Sequence, residues 1–181
     1  VAFWYQEGIA RDLPPVPYGS ARLPHGNAAQ IEVEQSLAEV KAAGGEASLI
    51  PELFWSKDVI FFAAEGPGAK LEIPFDAPED GVYEVYTEVA QAGDYGIYTV
   101  LLDGKAPGAA QLEHEPGADV IERTQFDGYA PETYVGLAYQ VGWPSLAKGR
   151  HTLTFVCLGK REASGGYNLG ELYNVTRPDF Q

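Results

Sequence analysis

Apolar and polar residues alternate with a period of two through most of the chain from Ile31 onward. In IEVE (31–34), Ile31 and Val33 share one face and Glu32 and Glu34 the other. LEIPF (71–75) repeats the pattern, with Pro74 marking an edge or a strand end because proline cannot donate to a ladder. VYEVYTEVA (82–90) sets Tyr83, Val85, Thr87 and Val89 against Glu84, Tyr86 and Glu88, the pattern of a half-buried strand with a polar outer face. IYTVLLDGK (97–105) reads as a strand entering a turn at Asp103 and Gly104, a strong hairpin signal. TYVGLAYQV (133–141), KGRHTLTFVCLG (148–159) and YNLGELYNV (167–175) extend the series.

Short strands separated by turn residues predict an all-β fold, a two-sheet antiparallel sandwich of jelly-roll or immunoglobulin-like type. The 21 glycines and 13 prolines supply the tight connections such a fold needs, and 45% hydrophobic residues in 181 suffice for one core. One helical candidate interrupts the pattern, SLAEVKAA (36–43), with Ser36 and Glu39 spaced as a capping box and Gly44 and Gly45 as its stop. A continued strand is the rival reading there. Residues 12–27 carry Pro14, Pro15, Pro17 and Pro24, so they are expected to form a stiff, extended spacer. The chain therefore divides into an N-terminal strand and Pro-rich arm at 1–27 and a β-sandwich domain at 28–181.

Charge narrows the partners. A net charge of −14, with no cluster of Lys or Arg, repels nucleic acid and anionic membrane surfaces. No apolar run is long enough to span a bilayer. The absence of Met, with no signal peptide in view, leads us to expect a mature secreted product or a piece of a longer chain, and an extracellular or cell-surface location. Cys157 has no disulfide partner and shares a strand face with Leu153 and Phe155, so it reads as a small buried hydrophobe.

Nothing in the sequence points to catalysis. The nucleophile elbow, the metalloprotease helix and the phosphate-cradling glycine loop are all missing, and no carboxylate pair stands out as general acid and base. His25, His114 and His151 are scattered, and His151 falls within a strand, where a structural role is expected. No cofactor is implied. For calcium, which needs several hard oxygens, Glu32, Glu34 and Glu171 on the first and last strands are the candidates, but solvated outward faces explain the same residues. We expect no metal site. Asn174–Thr176 spells an N-glycosylation triplet inside an expected strand, where a chance match is the simpler reading. Sugar binding calls for exposed rings beside polar groups. Trp55, Tyr129, Tyr134 and Trp143 lie in or near loops and are the candidate glycan contacts.

VAFWYQ (1–6) followed by LPPVP (13–17) resembles the closing strand of the double-jelly-roll domain in the difructose-anhydride hydrolase and α-furanosidase family of glycoside hydrolases. Some members carry a C-terminal sandwich after that strand. DYGIYTVLLDGK (94–105), LAKGRHTLTFVCLGK (146–160) and SGGYNLGELYNV (164–175) resemble its pattern, although Glu171 stands where an Asp is usual in the last strand. The resemblance implies a non-catalytic chain, because the family's catalytic carboxylates lie in the double jelly roll and no residue here matches them.

Three readings of the N-terminal strand follow. Val1, Phe3 and Tyr5 face one way and Ala2, Trp4 and Gln6 the other, so the segment suits a sheet edge and a groove. Held off its own sandwich by the spacer, it would complete the sandwich of another copy, and such heterologous contacts propagate as a pilus-like helical homopolymer. This structural subunit is the leading expectation. In the second reading the chain is a carbohydrate-binding accessory module with polysaccharide as partner, and the strand pairs within its own chain. In the third the strand belongs to a missing catalytic domain.

Overall fold

The computed structural model describes residues 31–32, 38–50, 59–106, 125–142 and 144–176. In chain order the strands are β1 (Ile31–Glu32), β2 (Lys41–Ala43), β3 (Gly45–Ile50), β4 (Val59–Ala64), β5 (Lys70–Ala77), β6 (Gly81–Val82) and β7 (Glu84–Gln91). They continue with β8 (Ile97–Leu102), β9 (Gln125–Asp127), β10 (Tyr134–Gly142), β11 (Ser145–Leu146), β12 (Gly149–Gly159) and β13 (Leu169–Thr176). One sheet runs β10-β7-β13-β4-β3, with β1 also paired to β13; the other runs β2-β5-β12-β8-β9. A short β11–β6 pair closes one end, and every one of these strand pairs is antiparallel. The fold is all-β, a two-sheet sandwich of jelly-roll type. Among the described residues no helix is long and apolar enough to cross a membrane.

The alternation of the sequence becomes the core. On β12, Leu153, Phe155 and Cys157 point inward, with Leu153 in register with Ile73 and Leu102 and Phe155 with Leu71 and Val100. Ile60, Phe62, Val85, Val89 and Leu169 answer them from the facing sheet, all buried. Tyr98 stacks on Phe126 at 5.9 Å between centroids, and Phe126 meets Phe155 edge-on at 6.4 Å, so one aromatic column joins β8, β9 and β12. Cys157 is buried within this core, and burial pushes its thiol up, as a packing residue requires.

Three local expectations can be compared with the fold. The hairpin turn forms as read: Asp103 and Gly104 take φ of 49° and 73°, and Leu102 and Lys105 exchange backbone hydrogen bonds of 2.9 and 3.0 Å. The helix expected over residues 36–43 is corrected. Its second half is β2, in which Ala42 pairs with Leu71 and Ala43 with Lys70 of β5, so sheet pairing overrides a weak local helix preference. Gly44 and Gly45 are not a helix stop but the corner by which the chain leaves one sheet and enters the other. Gly44 has φ of 69°, and a Cβ on Gly45 would stand 2.4 Å from the Ala63 carbonyl oxygen. Strands β3 and β4 were not read from sequence at all. VIFFAA is a nearly continuous apolar run without alternation, because the outward side of β4 is also partly covered.

The chain crosses between sheets on both flanks. On one side β2 turns through Gly44 into β3; on the other, β9 runs through residues 128–133 into β10. This second crossing carries Tyr129 to one end of the sandwich.

Candidate functional site

Three connections meet at that end: residues 92–96 between β7 and β8, residues 128–133 between β9 and β10, and residues 160–168 between β12 and β13. The 92–96 segment lies in the middle. Its backbone forms parallel bridges to both neighbours, Ala92 with Tyr129 and Tyr95 with Asn168. Ala92 N donates to Gly128 O at 3.0 Å and Ala130 N to Ala92 O at 3.1 Å on one flank. On the other, Gly165 N donates to Gly93 O at 2.8 Å, Asn168 N to Asp94 O at 3.1 Å and Gly96 N to Asn168 O at 3.0 Å. The loops thus behave as an extra layer of sheet laid across the sandwich end.

Side chains lock this layer from below. The Ser164 hydroxyl, buried, shares its one proton between the carbonyls of Tyr95 and Gly166 at 2.8 and 2.9 Å. Tyr98, buried in the aromatic column, donates its hydroxyl to the Tyr167 carbonyl. Burial first, and the neighbouring Cys157 second, hold that hydroxyl far above the usual tyrosine range, so it stays a donor. Tyr95 folds back over the outer face of the β4–β13 pair, 6.2 Å from Phe61 between ring centroids. The glycine gives it that place: a Cβ on Gly170 would stand 2.8 Å from the Tyr95 hydroxyl oxygen and displace the ring. That hydroxyl makes no hydrogen bond among the described residues, and burial, followed by the charge of Asp94, pushes it up to about 12.

What the layer presents to solvent is a mixture of rings and polar groups. Tyr129, Tyr134 and Tyr167 are half-buried, with Asp94 and Glu132 exposed beside them. Asn168 donates its amide to the Asp94 carboxylate at 2.8 Å, pairing an acceptor-rich group with one that both gives and accepts. Asp127 accepts from the Tyr129 backbone at 2.9 Å and from the Arg161 guanidinium, while its carbonyl receives the Gln91 amide at 3.0 Å. Lys160 donates to the Ser164 carbonyl at 2.8 Å and stands 5.1 Å above the Tyr167 ring. Rings offer a face for the C–H surface of a sugar, and carboxylate and carboxamide groups match its hydroxyls. Because backbone ladders fix the layer, little ordering remains to oppose binding.

Of the candidate glycan contacts, the structure brings Tyr129 and Tyr134 to this end. Tyr134 opens β10 opposite Gln91, and its hydroxyl reaches Glu132 at 3.5 Å. Trp55 and Trp143 lie outside the described residues. The residues flanking Trp143, Gly142 and Pro144, belong to the opposite end, where Gly142 pairs with Val85 and Pro144 O accepts from Tyr83 N. Asp94, Asp127, Asn168 and Tyr167 were not singled out from sequence. The available signal was the recurrence of Tyr beside Gly and Asp or Asn in DYG (94–96), DGY (127–129) and GGYN (165–168). The assembly strand expected at Val1, Ala2, Phe3, Trp4, Tyr5 and Gln6 also lies outside the described residues. For calcium, β1 does lie against β13, with Glu32 opposite Tyr173, but Glu34 is not described, and no group of three His, Cys, Asp or Glu is placed to hold a metal among the described residues.

No protein family and no curated protein matches the sequence. Solved structures do. The chain is similar to a Paenibacillus xanthan lyase, with 15% identity and a TM-score of 0.61, over 92% of this chain but only 14% of that one. It is also similar to a Podospora anserina GH26-CBM35 β-(1,4)-mannanase, with 15% identity and a TM-score of 0.49, over 85% of this chain and 28% of that one. A third is the CBM36-1 domain of a multidomain xylanase from the hindgut metagenome of Trinervitermes trinervoides, with 13% identity and a TM-score of 0.48, over 83% and 96% of the two chains. At 15% identity the likeness to the xanthan lyase is one of fold alone. The structural neighbours are β-sandwiches of carbohydrate-binding modules and of carbohydrate-active enzymes, and the chain spans a small part of the enzymes it matches.

Proposed function

We propose that the chain is a non-catalytic carbohydrate-binding sandwich, an accessory module of a polysaccharide-degrading enzyme that acts outside the cell. The observation that carries this reading is the rigid end layer, where Tyr129 and Tyr134 stand beside Asp94, Asn168 and Asp127 on backbone held by ladder hydrogen bonds. Sandwiches with this fold occur beside polysaccharide-acting enzymes, which agrees with the reading. The resemblance to the accessory sandwich of the difructose-anhydride hydrolase and α-furanosidase family is of the same kind, and would make a furanose-containing glycan one ligand to try.

Binding is measured by depletion onto insoluble polysaccharides and by retardation in gels containing soluble ones. Tyr129→Ala should weaken retention by about 30-fold, the loss of about 2 kcal/mol that removal of a central aromatic contact brings. If the protein binds no glycan of a broad panel, or if Tyr129→Ala and Tyr134→Ala bind as well as the unmodified protein, the assignment of this site fails. Assembly by donation of residues 1–6 was the leading expectation from sequence; it draws no support from the sandwich or from its structural neighbours, and the binding module replaces it.

A further inference from the structure

Among the described residues two cations stand at the loop end, Lys160 and Arg161, and both are engaged. The Lys160 ammonium is held by the Ser164 carbonyl and the Tyr167 ring. The Arg161 guanidinium is bound through Nε to Asp127, with the arginine side chain 61% exposed and the aspartate 28%. Asp127 is the fixed partner of that pair. Its other carboxylate oxygen accepts from the Tyr129 backbone and its carbonyl from Gln91, so Arg161 comes to Asp127 and not the reverse. Around them Asp94, Glu132 and Glu162 are exposed, on a chain whose net charge is already −14.

Resting on the reading of this end as a glycan site, we propose that Asp127 sets the charge class of the ligand: by holding Arg161 it reserves the site for uncharged sugars and excludes uronates. A guanidinium is the side chain best shaped to grip a sugar carboxylate with two parallel hydrogen bonds. With Asp127 in place the Nε side of that fork is taken and its charge is balanced, so an approaching uronate meets an end where exposed carboxylates outnumber free cations among the described residues. With the charge of Asp127 removed, Arg161 becomes a carboxylate receptor one loop away from the Tyr129 ring.

The test uses pairs of soluble polysaccharides that share a backbone and differ only in carboxyl groups. Hydroxyethyl cellulose is set against carboxymethyl cellulose, and galactomannan and a neutral xylan against their oxidised or glucuronate-bearing forms. Gel retardation is measured for the unmodified protein, Asp127→Asn, Arg161→Gln and the double variant, with thermal melting to confirm folding. Asparagine keeps the oxygen that accepts from Tyr129 and loses the charge. The unmodified protein should favour the neutral member of the pair it binds by about ten-fold. Asp127→Asn should move that ratio by about ten-fold toward the acidic member, the double variant should move it back, and Arg161→Gln alone should leave it unchanged or move it further toward the neutral member. Equal or tighter binding of the acidic member by the unmodified protein overturns the proposal, as does an unchanged ratio in a folded Asp127→Asn protein. Should Asp127→Asn fail to fold, a ratio that moves toward the acidic member in Arg161→Gln overturns it, and one that stays or moves toward the neutral member supports it. Absence of retardation by every polysaccharide overturns the glycan reading itself, and this proposal with it.

Discussion

Tyr95 and His151 show how single side chains couple this sandwich to its solvent. The Tyr95 ring fills the groove above Gly170, but its hydroxyl has been taken from water without a partner among the described residues. With no hydrogen bond to lose among the described residues, Tyr95→Phe should melt at the same or a higher temperature. The same variant should be more resistant to alkali. A hydroxyl whose pKa rises from 10.0 to about 12 on folding contributes stability that is complete below pH 10 and fades between 10 and 12. His151 lies at the opposite end of the sandwich. One ring nitrogen faces the Asp103 carboxylate at 2.8 Å and the other the Ala147 carbonyl at 2.8 Å, both acceptors, so the ring satisfies both only when doubly protonated. Partial burial disfavours that charge, but the Ala147 and Asp103 hydrogen bonds and the charges of Asp103 and Asp76 outweigh it and raise the imidazole above its ordinary 6.5. A raised value means stabilisation that is full below pH 6.5 and lost as pH climbs through the folded value. Urea midpoints should therefore fall on the alkaline side of that range in the unmodified protein, and His151→Gln should remove the fall. A flat profile in the unmodified protein would contradict the doubly protonated ring.

At the scale of elements, the corner between β2 and β3 leaves no room for a side chain at Gly45. Gly45→Ala would press a methyl group into the Ala63 carbonyl, backbone that cannot step aside, and should cost about 2 kcal/mol or more in denaturant titrations. A loss below about 0.5 kcal/mol would mean that the two sheets part easily at this corner. The same dipeptide shows where sequence reading stops. Two glycines after an alanine-rich stretch satisfy the local rule for a helix stop as well as that for a sheet corner, and only the pairing of Ala42 with Leu71 decides between them. Strands with one wetter face, such as β5 and β12, were legible because burial of one side imposes the alternation. β4 was not, because Tyr95 half-covers Phe61 on its outer face and erases the period. The site divides in the same way. Tyr129 and Tyr134 were found as loop aromatics, whereas Asp94 and Asn168 are 74 residues apart and become one feature only when β12 and β13 bring their loop to the β7–β8 connection.

For the whole molecule, charge and edges govern encounters. A net charge of −14 should keep copies apart, and adding salt should have little effect on binding to a neutral glycan, since no ion pair forms across that contact. The two long outer strands are poor templates for further pairing. β10 has irregular register against β7 at both ends, and irregularity of this kind twists an edge away from a partner strand; β3 has only six residues. Sedimentation at high protein concentration is therefore expected to show a single monomeric species, with or without residues 1–6, and rods in negative stain would contradict it. The crossings on both flanks have a further consequence, for mechanics. Since the polypeptide passes from sheet to sheet on both flanks, at Gly44 and over residues 128–133, sliding of one layer past the other is opposed by covalent backbone on both sides. A module anchored to an insoluble fibre by its end loops and pulled through its far end would pass the load from layer to layer, as a stiff coupling between the fibre and whatever it tethers.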